Sequence, residues 1–454
     1  MKELRRELGR WSAASIVVGT VIGSGIFLVP RDMALALGSP DWIFLVWVVG
    51  GLLSLSGALS YAELSAAMPG AGGEYVYLRE AYGPFWSFTY GWTQMWVAKS
   101  GSIATLAAAF FDYYANFYPG IQGVAYTLPI PIGTGGAPLQ IHYAQLLAVG
   151  LILLLGGVNF FGVRLGGNIQ VAVTALKLGL IFFIIAAGLA AGAGSLANFG
   201  TSEASAAGGV AGFFAALVAA LWAYDGWNNV TMVAGEVKEP QRNLPMALIW
   251  GTGAVMAIYL LANLAYFYVL SAPEVAGSPR VAAEMMNKIL GRPGANAVSI
   301  AAMISIFAAL NGSILSGSRV PYAMARDRFF FNAMSGVHPV YGTPAMAIFA
   351  MSAWAGVLVL TVGGYQQLFT SVIFASWVLY GMTTAGVIVL RRKRPDLPRP
   401  YRTLGYPVVP ILFVIVAACL VVSTLIASPR ESALGLIFIA LGIPFYRHWR
   451  SRQP

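Results

Sequence analysis

The chain has 454 residues, of which 58% are hydrophobic and 10% are charged, whereas roughly 25% of residues are charged in an ordinary soluble domain. A soluble protein has too little interior to bury so much apolar sequence, so the composition excludes a soluble globular domain and indicates a protein surrounded by lipid. The formal net charge of +10 does not indicate nucleic-acid binding, because the basic residues fall in short segments between apolar stretches.

The residues that metal and hydrolytic sites require are scarce. The single cysteine, Cys419, lies in an apolar run, and the three histidines, His142, His338 and His448, are far apart in the sequence. One thiol forms neither an intrachain disulfide nor a thiolate metal site. The sequence contains neither an HExxH nor a GxSxG motif. We therefore expect no metal, no cofactor and no enzymatic activity.

Twelve apolar stretches are predicted to cross a membrane. About twenty apolar residues span the hydrocarbon core, and backbone groups in lipid must bond within their own segment, so these stretches are expected to be helices. Their centres lie near residues 22, 53, 97, 151, 181, 220, 258, 305, 354, 379, 417 and 440. The sequence thus predicts an all-α membrane protein with one domain over residues 1–454.

The distribution of basic residues predicts that both termini are cytoplasmic. With that orientation, twenty lysines and arginines lie in inside segments and five in outside segments, and two lysines remain within spans. The inside set includes the run RRKRPDLPRPYR at 391–402. We interpret this run as a topology anchor that also contacts anionic lipid headgroups.

The first apolar stretch contains three small residues at its middle, Gly23, Ser24 and Gly25. Glycine tolerates non-helical dihedral angles, so this triplet favours an unwound turn. The free amides and the dipole of the half-helix that follows would suit a carboxylate. Close helix packing is an alternative interpretation, because Gly19 and Gly23 form a GxxxG pair.

Two lysines lie inside predicted spans. Lys177 stands alone among apolar residues, too deep to reach either surface comfortably. It can act as a fixed cation, as a proton-binding group, or as a structural donor to backbone carbonyls. Lys99 has less informative neighbours, and we predict a structural role for it. Glu63 and Glu236, at predicted cytoplasmic helix ends, are expected to pair with arginines of the loops.

The sixth apolar stretch carries Asp225 in mid-span, followed by Gly226 and flanked by the aromatic residues Trp222, Tyr224 and Trp227. An ionisable group at that depth is costly and usually faces the interior of a bundle. Asp225 can accept hydrogen bonds from an ammonium group or stabilise a helix break, and we favour the first. Span 6 follows span 1 by five helices, so the two enter from opposite faces. Glycine-interrupted spans at matching places indicate an inverted-repeat transporter site.

Five motifs carry a family resemblance. They are IGSGIF at 22–27, SYAELSAAMPGAGGEYVYLREAYG at 60–83, NFFGVR through TALKLG at 159–179, WAYDGWNNVTMVAGEVKEPQRNLP at 222–245 and LNGSILSGSRVPYAMARD at 310–327. Together they resemble the amino acid–polyamine–organocation superfamily and, within it, the L-amino acid transporter branch. The resemblance extends almost from end to end of the chain.

The resemblance implies a LeuT-type fold of two inverted five-helix repeats. The first repeat would cover about residues 11–194 and the second about 208–393, with two additional helices at about 406–447. Helices 1 and 6 would be unwound at mid-membrane.

The resemblance also implies a substrate site. The carboxylate of an amino acid would meet the backbone amides of Ser24 and Gly25. Its ammonium group would meet the carbonyls of Val21, Trp222 and Asp225, and the ring of Trp222 would close over the substrate.

A second set of residues is implied to couple the helices. Lys177 would occupy the place of a sodium ion in sodium-coupled relatives, with Gly23 and Ser313 as its neighbours. Tyr259 would help it to couple the two helix bundles. A tethered ammonium replaces a mobile cation of equal charge, so transport is expected to need no sodium.

These features predict a sodium-independent exchanger of neutral L-amino acids, small or broad in range, working by alternating access in a bacterial cell membrane. The alternatives are proton-coupled symport, carriage of cationic amino acids, and a sensor that binds without transport. Asp225 stands where several neutral-selective relatives have glycine, although the same motif occurs in relatives that take small neutral amino acids. Animal members often join a heavy subunit through a cysteine in the loop at 116–141, which has none here. We therefore expect no disulfide-linked partner.

Overall fold

The computed structural model describes residues 4–130, 138–362, 365–427 and 429–452. Residues 1–3, 131–137, 363–364, 428 and 453–454 of the predicted single domain lie outside this description. The regular structure of the described residues is mostly helical, as the apolar composition predicts. The helices of the first half are α1 (Arg10–Val21), α2 (Gly25–Leu37), α3 (Pro40–Ala67), α4 (Glu74–Tyr82), α5 (Pro84–Thr93), α6 (Lys99–Tyr114), α7 (Tyr143–Phe160) and α8 (Val163–Ala190).

The second half continues the same pattern, with long helices joined by short ones. Its helices are α9 (Gly209–Ala223), α10 (Asn229–Met232), α11 (Pro240–Val269), α12 (Ala272–Gly277), α13 (Val281–Leu290), α14 (Arg292–Gly317), α15 (Arg319–Arg326), α16 (Ala345–Val362), α17 (Tyr365–Lys393), α18 (Val408–Ala427) and α19 (Pro429–Arg450). A π-helical turn, Gln94–Ala98, joins α5 to α6, and short 3-10 turns cover Pro119–Gln122, Leu196–Gly200, Ala234–Glu236 and Asn332–Ser335.

Eight helical segments of the described residues are long and apolar enough to cross a membrane. They are Arg10–Leu37, Pro40–Ala67, Tyr143–Phe160, Val163–Ala190, Pro240–Val269, Arg292–Arg326, Ala345–Val362 and Val408–Ile426. Each contains one of the twelve predicted centres. The other four centres, near residues 97, 220, 379 and 440, also lie in helical segments, and the one near 220 lies in the shorter apolar helix α9.

Two apolar helices are interrupted at the predicted places. Between α1 and α2 the chain leaves the helix at Ile22, where φ is −74° and ψ is 87°. Between α9 and α10 it turns at Gly226, whose φ of +109° is a conformation that favours glycine. The second interruption thus depends on a residue without a side chain. At the first, Gly25 is required because a Cβ there would lie 2.7 Å from the Cα of Ala223.

The prediction of helices alone missed a short sheet. Strand β1 (Val124–Leu128) pairs antiparallel with β2 (Leu139–His142), and Thr127 lies opposite Gln140. The sequence Val-Ala-Tyr-Thr-Leu is rich in β-branched and aromatic residues, which suit a pleated surface. A search for apolar stretches of about twenty residues overlooks strands of this length.

Ion pairs join the ends of several helices. Arg391 Nη2 lies 2.6 Å from Glu63 Oε2, and Arg319 Nη2 lies 2.9 Å from Glu236 Oε2. Both members of the second pair are fully buried. The prediction that these glutamates pair with arginines is confirmed, although the arginines lie at the ends of α17 and α15 rather than in loops.

Candidate functional site

The two interruptions face one small cavity of about 30 Å³, room for roughly two water molecules. The residues that line it are Thr20, Val21, Gly23, Ser24 and Gly25 of the first interruption, Trp222, Asp225, Gly226 and Asn229 of the second, Ser102 and Leu106 of α6, and Ser313 of α14. Seven of the nine predicted site residues are among them. The other two, Lys177 and Tyr259, do not line the cavity but bond to backbone carbonyls at the interruptions.

The start of α2 supplies hydrogen-bond donors to the cavity. The amides of Gly25 and Ile26 belong to the first turn of a helix, where no intrahelical acceptor exists. The hydroxyl of Ser24 is buried and has no hydrogen-bond partner among the described residues. Because the amino end of a helix also carries a partial positive charge, this corner of the cavity can bind an anionic group such as a carboxylate.

The two interruptions touch each other. A Cβ placed on Gly25 would lie 2.7 Å from the Cα of Ala223, so only glycine lets α2 begin against the end of α9. The hydroxyl of Thr20 lies 2.6 Å from the carbonyl oxygen of Ile16 and 2.9 Å from that of Gly226. These contacts fix the distance between the donors of the first interruption and the carbonyls of the second.

Lys177 contacts the carbonyl end of α1. Its fully buried ammonium donates to the backbone oxygen of Gly19 at 2.7 Å and to that of Ile22 at 2.6 Å. The carbonyl end of a helix carries a partial negative charge, which stabilises a cation there. No acidic side chain within the described part of the chain forms an ion pair with Lys177. Gly23 and Ser313, the neighbours implied by the resemblance, line the cavity.

Tyr259 of α11 lies between the two interruptions. Its hydroxyl is 3.0 Å from the carbonyl oxygen of Val21 and 2.8 Å from that of Ala223. A hydroxyl has one hydrogen, so it donates to one of these carbonyls at a time. Either way, one side chain touches both broken helices.

Asp225 is half-buried and faces the cavity. Its Oδ1 accepts a hydrogen bond of 2.8 Å from the hydroxyl of Tyr380, in α17. Its backbone amide donates to the carbonyl of Trp222 at 3.0 Å, and the buried Trp222 side chain forms part of the cavity wall. Sequence reasoning missed Tyr380, because nothing in the apolar stretch around it marks it as a partner of a residue 155 positions earlier.

Two further hydrogen bonds hold Asn228 and Asn229, at the end of the second interruption. Asn228 donates to Glu74 of α4, and Lys99 of α6 donates to Asn229 Oδ1 at 2.5 Å. All four side chains are buried. The sequence marked Lys99 as an intramembrane charge but offered no sign of its partner. Within the described residues, no group of three histidine, cysteine, aspartate or glutamate side chains is placed to hold a metal ion.

A cavity between two broken helices, with unpaired amide donors at the start of α2, can hold a carboxylate. Over residues 8–443 the chain matches the model of a family described as amino acid permease. The chain belongs to this family. It is therefore one of a family of multi-pass membrane transporters and not an enzyme, and the resemblance to the L-amino acid transporter branch is confirmed.

Several curated relatives resemble this permease along nearly their whole length. The human b(0,+)-type amino acid transporter 1 is 35% identical over 447 residues, which cover 98% of the permease and 88% of the relative. The serine/threonine exchanger SteT of Bacillus subtilis is 32% identical over 459 residues, covering 99% and 98%. The human cystine/glutamate transporter is 28% identical over 445 residues, covering 98% and 85%.

Proposed function

We propose that this permease is a sodium-independent exchanger of neutral L-amino acids, small or broad in range, that works by alternating access. The observation that carries the proposal is the ammonium of Lys177, bonded to the carbonyls of Gly19 and Ile22 at the first interruption. Carbonyl oxygens freed at a broken helix are ligands for a mobile cation. A cation already fixed on them removes the need for a soluble one.

The substrate contacts in this proposal follow from the lining of the cavity. The amides of Ser24 and Gly25 bind the carboxylate, for which the start of α2 offers unpaired donors and a positive dipole end. The carbonyls of Val21, Trp222 and Asp225 bind the ammonium group. Trp222 covers the substrate, which its place in the cavity wall supports.

A second group of residues is proposed to couple the helices, on the basis of hydrogen bonds to backbone carbonyls at the interruptions. Lys177 and Tyr259 bond to carbonyls at the interruptions, so they can relay a change in the substrate site to α8 and α11. Gly23 and Ser313 complete this group from the cavity side.

The architecture that we propose has twelve spans in a LeuT-type arrangement. Two inverted five-helix repeats cover about residues 11–194 and 208–393, and two additional helices cover about 406–447. Interruptions in the first and sixth apolar segments, five apart, support this arrangement. The excess of basic residues in alternate loops supports cytoplasmic termini.

The cellular setting is likewise proposed from the sequence. Similarity to a bacillus exchanger over 98% of its length supports a bacterial cell membrane. With Cys419 as its single cysteine, in an apolar helix, the chain offers no thiol for a disulfide-linked subunit in the loop at 116–141.

Neutral substrates are favoured by the surroundings of Asp225 and by similarity to a curated relative. The carboxylate of Asp225 accepts a bond from Tyr380 and lies within electrostatic range of the Lys99 ammonium, which offsets its charge. Similarity to a serine/threonine exchanger points in the same direction.

Proton-coupled uptake is a second candidate, because Lys177 has no acidic partner within the described residues. An uncompensated buried charge is unfavourable. Loss of its proton in one conformation would relieve that charge and couple transport to a pH gradient.

One reconstitution experiment tests both candidates. Purified protein in liposomes is loaded with unlabelled serine, and uptake of labelled serine is measured in sodium or choline buffer, with and without a pH gradient. We expect uptake that needs internal amino acid and is equal in both buffers. A sodium requirement contradicts the first proposal. Uptake into empty liposomes driven by an inward proton gradient supports the second.

A further inference from the structure

Two adjacent asparagines at the second interruption are held from different sides by charged residues. Asn228 bonds to Glu74, which opens α4, and Asn229 bonds to Lys99, which opens α6. Glu74 is fully buried and Lys99 is 5% exposed. Asn229 itself lines the cavity, so Lys99 is one residue removed from the substrate site.

The position of Lys99 is built into the surrounding helices. A Cβ on Gly317 of α14 would overlap the aliphatic chain of Lys99, so the glycine makes room for the lysine. From this position the ammonium of Lys99 is within electrostatic range of both Asp225 and Glu74. Charges interact strongly in a buried region of low dielectric constant.

The three charges do not cancel. Asp225 and Glu74 contribute two carboxylates and Lys99 contributes one ammonium, so the group carries a formal charge of about −1 when all three are ionised. Four buried tyrosines, Tyr61, Tyr77, Tyr90 and Tyr380, also lie within electrostatic range of Glu74. Phenols are uncharged at neutral pH, so they leave this balance unchanged.

We propose that Lys99 and Glu74 are positioning residues that set the side-chain charge the permease accepts. They hold the two asparagines that follow the second interruption, and Lys99 offsets the carboxylate of Asp225 beside the cavity. Discrimination against lysine and arginine therefore depends on the ammonium of Lys99. This inference rests on the proposed function, since it concerns the selectivity of the same site.

The test is a charge cycle in liposomes loaded with unlabelled serine. Uptake of labelled lysine is divided by uptake of labelled serine for wild type, Lys99→Met, Glu74→Gln and the double variant. With every remaining acid and base of the group ionised, the formal charge is about −1, −2, 0 and −1 respectively. We expect the ratio to rise at least tenfold in Lys99→Met, to fall in Glu74→Gln, and to return within threefold of wild type in the double variant.

A conservative variant separates charge from structure. Lys99→Arg keeps the cation and is expected to keep the wild-type ratio. A purely structural role would lower both uptakes in Lys99→Met without changing their ratio, and that result overturns the inference. If Lys99→Met does not fold, the test rests on Glu74→Gln. An unchanged ratio of lysine to serine uptake in Glu74→Gln would also overturn the inference.

Failure of the proposed function gives a different result. Wild-type protein that exchanges neither amino acid contradicts exchange itself. The selectivity claim is then read from thermal stabilisation in detergent by lysine and by serine, which requires binding but no translocation. Equal stabilisation patterns in all four proteins overturn it.

Discussion

Single side chains satisfy the backbone at the first interruption. Lys177 donates to Gly19 and Ile22, and the hydroxyl of Ser305 donates to Ile22 at 2.9 Å. Each of these carbonyls would otherwise be a buried acceptor without a donor, which costs about 1–3 kcal/mol. The broken helix is therefore stable because residues of α8 and α14 replace its missing backbone bonds.

Removal of the Lys177 ammonium is expected to stop transport. In Lys177→Ala the carbonyl of Gly19 loses its donor, that of Ile22 keeps only Ser305, and the fixed charge is lost. Uptake of labelled serine into loaded liposomes should therefore fall by at least about tenfold, the equivalent of 1.4 kcal/mol. Gel filtration of the purified variant should still show a monodisperse protein. Lys288→Ala is the matched control, because Lys288 lies in an exposed pair with Glu274 and such pairs contribute little. Uptake at the wild-type level in Lys177→Ala would remove this lysine from the mechanism.

Sequence reasoning found the residues that stand out from their surroundings and missed those that do not. Lys177 and Asp225 are isolated charges in apolar stretches, so the sequence alone marks them as candidate functional residues. Ser305 and Tyr380 are ordinary residues of apolar helices, and they acquire roles through pairs 283 and 155 positions apart. The partners of Lys177, Gly19 and Ile22, were not predicted, because a carbonyl becomes available only where the helix ends.

At the scale of elements, the site depends on how closely two helix ends approach. The start of α2 meets the end of α9 at Gly25 and Ala223, where a Cβ has no room. The approach places the amide donors at the start of α2 beside the end of α9. Glycine at this position therefore serves close packing.

Gly25→Ala is expected to force the two interrupted helices apart. Overpacking of this kind costs about 1–3 kcal/mol of unfolding free energy, and serine should no longer stabilise the protein in a thermal unfolding assay. Gly179→Ala in α8 is the control, because nothing lies within 4 Å of a Cβ there. That variant should be as stable as wild type or about 0.5–1 kcal/mol more stable. Equal stabilisation of Gly25→Ala and wild type by serine would show that the close approach is unimportant.

The elements that sequence reasoning located were the long apolar ones. Interruptions at 22–24 and 224–228 followed from glycine and from a charge in mid-span. The short helices α4, α12 and α13 and the β1–β2 sheet were not predicted. Their formation depends on contacts with the long helices and not on a long apolar run of their own.

At the scale of the whole molecule, one fully buried ion pair joins distant parts of the chain. Arg319 bonds to Glu236 through both carboxylate oxygens and also donates to the carbonyl of Leu315. The pair links α15 to the turn that follows α10. Removing one partner of a buried pair leaves an uncompensated charge, which makes such a pair sensitive to substitution.

Glu236→Gln is expected to destabilise the protein by about 3–5 kcal/mol, since Arg319 would remain buried without a counter-charge. The measurement is the shift of the thermal unfolding midpoint in detergent. Glu274→Gln, at an exposed pair with Lys288, is expected to change stability by less than about 1 kcal/mol. Similar midpoints for both variants would contradict the account given for the buried pair.

The orientation of the chain can be tested by labelling. In a Cys419→Ser background, a membrane-impermeant maleimide is applied to intact cells carrying either Ser202→Cys or Ser451→Cys. We expect Ser202→Cys to react in intact cells and Ser451→Cys to react only after permeabilisation. Both positions are exposed, so reactivity reports the side of the membrane. The reverse pattern would place both termini outside.

The class of protein and its family were within reach of composition and motifs, because lipid imposes strong rules on sequence. The mutual arrangement of the spans was not. It depends on which faces of long apolar helices meet, and hydropathy is nearly uniform around them. The twelve-span inverted repeat therefore entered through the resemblance and stays a prediction.

A short stretch of backbone ties the start of the chain to the far side of the second interruption. The amide of Leu8 donates to the oxygen of Glu236 at 2.9 Å, and the amide of Lys238 donates to the oxygen of Leu8 at 2.8 Å. These two hydrogen bonds attach the residues before α1 to the segment between α10 and α11. If the broken helices change their tilt during turnover, the amino-terminal segment must either move with them or lose these hydrogen bonds. A bulky fusion at the amino terminus would then slow exchange even though it lies far from the bound amino acid.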